Sequence, residues 1–105
     1  MYKLGCYKNF AVESCQNAGA SNADIRVRPL PGQGVPTSMY VECSREMREE
    51  LTDTMVAILS CKVTNRNGGT EFLYAYFRTP YKLVPRKTAL DMINNGKLGF
   101  SGVRN

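Results

Sequence analysis

Apolar and polar residues alternate most clearly between Thr54 and Thr64, where Met55, Ala57, Leu59, Cys61 and Val63 hold the odd positions. The even positions mix Val56 and Ile58 with Ser60, Lys62 and Thr64. Alternation with period two in a β-branched run predicts a strand whose odd face meets the core. A second run, Glu71 to Arg78, is aromatic. Between the two stands Arg66-Asn67-Gly68-Gly69-Thr70, which supplies the residues that turn positions with positive φ demand. The stretch reads as a long β-hairpin around which the chain is organised, and Tyr81-Lys82-Leu83-Val84 extends the sheet as far as Pro85.

Loop length decides which way the second arm faces, because a slip of one residue turns every side chain over. A two-residue Asn67-Gly68 turn sets Val63 opposite Phe72 and Cys61 opposite Tyr74. A four-residue loop keeps that facing and sets Arg66 opposite Glu71, whereas a three-residue loop leaves the tyrosines outside beside Lys62. The Arg66–Glu71 pairing favours the four-residue loop, which places Phe72, Tyr74 and Tyr76 inside. Val56, Ile58, Leu73 and Phe77 then share the opposite face, too large a patch for Leu90, Met92 and Ile93 to cover. Those four residues are expected to mediate self-association as a two-fold homodimer, with the −3 of residues 41–55 meeting the +6 of residues 56–105.

The remaining elements are shorter. Tyr2, Leu4 and Cys6 alternate as a short first strand, and Asn9 to Ala18 reads as a helix capped by Asn9 and stopped by Gly19. Asp24 to Leu30 reads as a strand with Ile25 and Val27 on one face and Arg26 and Arg28 on the other. Pro29 to Pro36 is a rigid surface loop; its Gly32-Gln33-Gly34 lacks the later glycine and the Lys-Ser/Thr of a phosphate-binding loop. Ser38 to Cys43 reads as a third strand, after which Ser44 caps a helix that turns Met47 and Leu51 inward. Thr88 starts a last helix through Ile93, with Leu90 inward, and Asn94-Asn95-Gly96 ends it; Leu98 and Phe100 dock beyond it. The sum is a single α+β domain over residues 1–105. It is expected to be a bent antiparallel sheet, or a small SH3-like or OB-like barrel, of about five strands with one or two short helices.

Composition narrows the chemistry. The 105 residues include no histidine, which removes Ser-His-Asp and Cys-His catalysis, histidine metal sites and the commonest general base near neutral pH. The four cysteines, at 6, 15, 43 and 61, form no CxxC pair. They are expected to be free, mostly buried thiols with no metal and no cofactor. Cys43 just before a helix start is a candidate nucleophile, but no histidine stands by to activate it, and a buried thiol is the preferred reading. Leu4-Gly5-Cys6 resembles the end of a lipoprotein signal without the apolar region such a signal needs, and no run is long enough to span a bilayer, so a cytoplasmic location is expected. The net charge of +5 and pI near 9.2 permit contact with a polyanion. The candidate contacts are Arg26, Arg28, Lys62, Arg66, Arg78 and Lys82.

Met39-Tyr40-Val41-Glu42-Cys43-Ser44-Arg45-Glu46-Met47-Arg48, followed by Gly68-Gly69-Thr70-Glu71-Phe72-Leu73-Tyr74, resembles small bacterial proteins of the integron gene-cassette type, carried on mobile DNA. The resemblance covers about residues 25–84 and carries no catalytic motif. It implies a compact β-rich domain, often oligomeric. The function expected from the sequence is a small non-enzymatic binding or interaction module working as a homo-oligomer, without membrane contact. The alternative is a nucleic-acid-binding β-barrel that uses a basic sheet face, and an enzyme acting through Glu42, Cys43 or a tyrosine is the remaining class.

Overall fold

A computed structural model describes residues 3–16 and 25–100. Strand β1 spans Lys8–Gln16, β2 Ile25–Pro29 and β3 Val41–Glu42; helix α1 spans Arg45–Glu50. Strand β4 spans Met55–Thr64, β5 Phe72–Tyr74 and β6 Tyr81–Pro85, and helix α2 follows at Arg86–Asn94. The fold is α+β, with these strands in one mixed sheet ordered β2-β1-β4-β5-β3 and β6 paired with β4.

The centre of the sheet is β4, as its alternation requires. Its first half pairs with β6, from Met55 opposite Pro85 to Leu59 opposite Tyr81, and its end pairs with β5, from Lys62 opposite Tyr74 to Thr64 opposite Phe72. β5 and β6 are thus one returning arm interrupted by residues 75–80. On its other side β4 pairs with β1, from Lys8 opposite Cys61 to Val12 opposite Ala57. β3 and β5 run parallel, because the chain leaves β3 through α1 and traverses β4 before it returns. The sheet is therefore mixed where an all-antiparallel one was expected. It curls so that β2 and β3 approach one another, but no ladder joins them and no barrel closes.

The helix expected from Asn9 is instead the strand β1. A central strand with both faces covered is apolar at successive positions, and such a run has no period to separate it from a buried helix. Phe10 and Val12 point into one cluster and Ala11 into the other. Residues 17 and 18 and the stop at Gly19 lie outside the described residues, as do Tyr2 and the tail beyond Phe100. Of the expected first strand, Leu4 makes an isolated bridge to Val63.

The main cluster lies within the curl. It gathers Phe10 and Val12, Val27, Val41, the odd residues Ala57 to Val63 of β4, Leu73, Ala75 and Phe100, and it is closed at one end by Met47 and Leu51. The odd face of β4 meets the core as expected. α1 forms where the sequence places it: the Ser44 hydroxyl accepts from the Met47 amide at 3.1 Å, and Met47 is buried. On the opposite face of the sheet, Ala11, Leu30, Val56 and Val84 are covered by Ala89, Ile93 and Leu98. α2 begins at Arg86, two residues before Thr88: it follows Pro85 at the end of β6, and the Arg86 amide donates to the Thr54 carbonyl at 2.7 Å. That phase buries Ala89 and Ile93 and leaves Leu90 at the surface.

The hairpin register differs from the expected one. Asn67 and Gly68 both have positive φ, 53° and 76°, and the Gly69 amide donates to the Arg66 carbonyl at 2.8 Å, so the two-residue turn forms. The ladder, however, resumes with Thr64 opposite Phe72. The returning side carries one more residue between turn and ladder than the outgoing side, which is a bulge. The extra residue turns the arm over: Leu73 is fully buried inside, and Tyr74 stands outside beside Lys62.

Candidate functional site

The bulged register sets a row of rings and cations on the outer face of the sheet. α2 covers only half of the outer face of the sheet. Over the open half, the Lys62 ammonium lies 5.3 Å from the centre of the Tyr7 ring and 5.9 Å from that of Tyr74. These distances are those of cation–π contacts on both sides of one lysine. Next to this row the Arg66 guanidinium lies 4.9 Å from the centre of the Phe72 ring, whose neighbour is Tyr40 at 6.4 Å. Tyr7 is 49% exposed and Tyr40 41% exposed. An aromatic face that stays in water while a cation rests on it is available to another flat, electron-rich ring.

Past Tyr40 the surface turns into the seam that β2 and β3 leave open. A groove of about 460 Å³ is lined there by Arg26, Met39, Tyr40, Thr70, Glu71 and Phe72. A smaller one of about 200 Å³ continues it past Cys15, Arg28 and Thr37, and both share Arg26, Ser38 and Met39. Arg26 alternates with the buried Val27 and so points away from the core. It is exposed and joins no ion pair among the described residues.

The expected polyanion contacts are divided by this geometry. Lys62, Arg66 and Arg26 border the aromatic surface and its groove. Arg28 is tied to Glu13 at 2.8 Å, which also takes Arg86, so its charge is answered inside the fold. That carboxylate raises the pKa of Arg28 further above its ordinary value. Arg66 is likewise paired, with Glu42 at 2.6 Å. Arg78 lies against Phe77 in the turn between β5 and β6, in a separate groove with Ser44, Glu46 and Tyr81. Lys82 is exposed on β6 opposite Ile58.

The expected self-association patch is not assembled. Val56 is buried beneath α2 and Ile58 packs at the margin of the same cluster. Leu73 lies in the cluster on the other side of the sheet, and Phe77 is 60% exposed in a turn. The physical reason is the bulge together with α2: one reverses Leu73 and the other covers Val56.

The cysteines are free, and Cys61 is buried on the core face of β4 as expected, but Cys6, Cys15 and Cys43 are half-buried where mostly buried thiols were expected. Burial pushes the Cys61 thiol up to about 12, and the neighbouring Cys43 adds to this. Burial also raises the pKa of Cys43, with Arg48 opposing the rise. A nucleophilic thiolate needs the reverse. Among the described residues no group of three or more Cys, Asp or Glu side chains could hold a metal ion. No helix among them is long and apolar enough to cross a membrane.

Tyr7, Tyr40, Phe72 and Tyr74 are the site residues that sequence reasoning missed. The signal that could have found them is Gly69, a second glycine after an already sufficient Asn-Gly turn. No protein-family model matches this chain, nor does any curated protein or solved structure.

Proposed function

We propose that the protein is a non-enzymatic binding module whose ligand is a single strand of nucleic acid, laid across the open outer face of the sheet. The observation that carries this reading is the row Tyr7–Lys62–Tyr74, two partly exposed rings with one cation between them. Single strands present flat bases beside a regular line of phosphates, and a face that offers rings beside cations matches both without reading sequence. The groove holding Arg26, Tyr40 and Phe72 extends the track around the edge of the sheet. With Arg28 and Arg66 already paired, only a few cations remain for phosphates, so binding is weak and sensitive to salt.

Fluorescence anisotropy of a labelled single-stranded oligonucleotide across a salt series tests this. Two to three phosphate contacts give a log–log slope of about −1.5 to −2. Replacing Tyr74 by alanine removes one stacking platform and weakens binding about tenfold, within the range of roughly 1–3 kcal/mol per stacked base. Lys62→Gln weakens binding and flattens the slope. Absence of binding at low salt, or binding indifferent to both substitutions, sinks the reading.

Self-association is the second reading, favoured by the exposed Tyr76 and Phe77, whose rings are tilted by 57° with centres 4.9 Å apart in the 75–80 turn. Two copies meeting tip to tip bury both pairs. Sedimentation at micromolar concentration distinguishes monomer from dimer, and Phe77→Asp converts a dimer of this kind to monomer. A monomeric wild-type protein removes this second reading.

A further inference from the structure

The row Tyr7–Lys62–Tyr74 has two unlike flanks. On one side the next row of the outer face is Thr64 with Phe72, and Tyr40 lies beside Phe72. The cation over Phe72 is already answered there, since Arg66 is paired with Glu42. On the other side the next row is Asn9 of β1 with Ser60 of β4, partners across the sheet. The chain after α2 comes down beside that row, where the Gly99 amide donates to the Asn9 carbonyl at 2.6 Å. At this border lies a pocket of about 340 Å³ whose lining includes Tyr7, Asn9, Ser60 and Lys97 with Gly96 and Gly99. Among the described residues no carboxylate lines it.

The two flanks sort the parts of a nucleotide. A base stacked on Tyr7 or Tyr74 needs apolar surface, whereas its sugar and phosphate need polar partners. The rings of Phe72 and Tyr40 suit bases, so the sugar–phosphate chain follows the Asn9–Ser60 row. Neighbouring rows on one face of a sheet are about 7 Å apart, and the ribose of a base on Tyr7 reaches across that distance. The exposed Asn9 carboxamide and the half-buried Ser60 hydroxyl each donate and accept hydrogen bonds. A ribose 2′-hydroxyl also donates and accepts, and deoxyribose has nothing to offer in its place. The exposed Lys97 stands at the same pocket for the adjoining phosphate.

We infer that Asn9 and Ser60 hold the 2′-hydroxyl of the nucleotide stacked on Tyr7, so that the protein selects RNA over DNA. This rests on the reading given under Proposed function and names the class of strand that the same face takes. Two neutral side chains make the selection, so the ratio of RNA to DNA affinity does not depend on salt. Lys97 acts on both kinds of strand alike.

The test is the anisotropy of three labelled strands of one length: oligouridine, oligodeoxyuridine and 2′-O-methyl-oligouridine. The RNA is expected to bind about fivefold tighter than the DNA, the yield of one net hydrogen bond, with equal salt slopes. The methylated strand has lost the donor and gained bulk, and is expected to bind no better than the DNA. Ser60→Ala and, separately, Asn9→Ala bring the RNA-to-DNA ratio close to one by lowering RNA affinity. Lys97→Gln weakens both strands, flattens both slopes by about 0.7 and keeps the ratio. Equal binding of RNA and DNA by the wild-type protein overturns the sugar contact and leaves the binding track standing. A preference for RNA that survives both alanine substitutions, or that Lys97→Gln abolishes, overturns the assignment to Asn9 and Ser60. Absence of binding by all three strands overturns the track and the sugar contact together.

Discussion

Gln33 shows how one side chain can complete a backbone ladder. Past Val12 opposite Pro29, the Leu30 amide still donates to the Ala11 carbonyl at 3.0 Å, but there the ladder of β1 with β2 ends, and the Ala11 amide and the Leu30 carbonyl are left without strand partners. The buried Gln33 carboxamide takes over. Its Nε2 donates to the Ala11 and Leu30 carbonyls at 2.9 Å each, and its Oε1 accepts from the Ala11 amide at 2.8 Å. Gly99 must approach it closely, since a Cβ there would stand 2.7 Å from the Gln33 carbonyl oxygen. Gln33→Leu fills the space but orphans an amide and a carbonyl, so a loss of about 2–4 kcal/mol is expected in urea unfolding. Two titrating groups set the alkaline limit. The Cys61 thiol is pushed up to about 12 by burial, and the Tyr81 phenol to about 12 by its 2.7 Å hydrogen bond to Glu50. Both native values lie above the unfolded ones near 9 and 10, so the neutral forms favour the fold. Their contribution is complete below about pH 9 and is lost as pH rises toward 12. The urea midpoint should therefore fall between pH 9 and 11.5, and Cys61→Ala and Tyr81→Phe should each make that fall shallower.

Among the elements, the hairpin turn carries the largest consequence. An Asn-Gly turn was legible from residue type, but the single residue inserted between it and the ladder was not. The expected Arg66–Glu71 cross-strand pair is worth only about 0.2–1 kcal/mol, even with good geometry. Burying Leu73 is worth about 1.5–3 kcal/mol, and the smaller term could not set the register. Arg66 instead reaches Glu42 on the neighbouring β3. Deleting Gly69 removes the extra residue and leaves a regular two-residue hairpin, with Arg66 opposite Thr70 and Thr64 opposite Phe72, the register the ladder already has. Leu73 keeps its site, so a change within about 1 kcal/mol is expected by chemical unfolding, with Tyr74 fluorescence unaltered; a loss above about 2 kcal/mol would show that the bulge itself is needed.

At the scale of the whole molecule, one curled sheet separates two apolar clusters, and the hairpin contributes to both. Val56 belongs to the outer cluster and Leu73 to the inner, while Phe77 belongs to neither. Leu73→Ala should cost about 2–5 kcal/mol, because the surrounding strands cannot collapse into the cavity. Phe77→Ser should stay within about 0.5 kcal/mol of the wild type. Thermal unfolding of the two variants side by side checks this partition. A large loss from Phe77→Ser would show that the turn is packed against something in solution.

The sequence alone determined the strand at the centre, the α+β class, the Ser44-capped helix, the docking of Leu98 and Phe100 and the inward face of β4. Each follows from local pattern: alternation, a capping hydroxyl, or large apolar side chains after a helix stop. Tertiary structure decided what local pattern leaves open. β1 looks helical by itself because a strand buried on both faces has no alternation, and only the neighbours on either side fix its form. α2 starts at Arg86 because that residue is held by the Thr54 and Asp53 carbonyls and by Glu13, partners distant in sequence. The candidate site depends most on such context. Whether Tyr74 stacks in the core or stands beside Lys62 turns on one residue in a bulge, and the burial of Leu73 in the inner cluster, between Val41 of β3 and Val63 of β4, selects the answer.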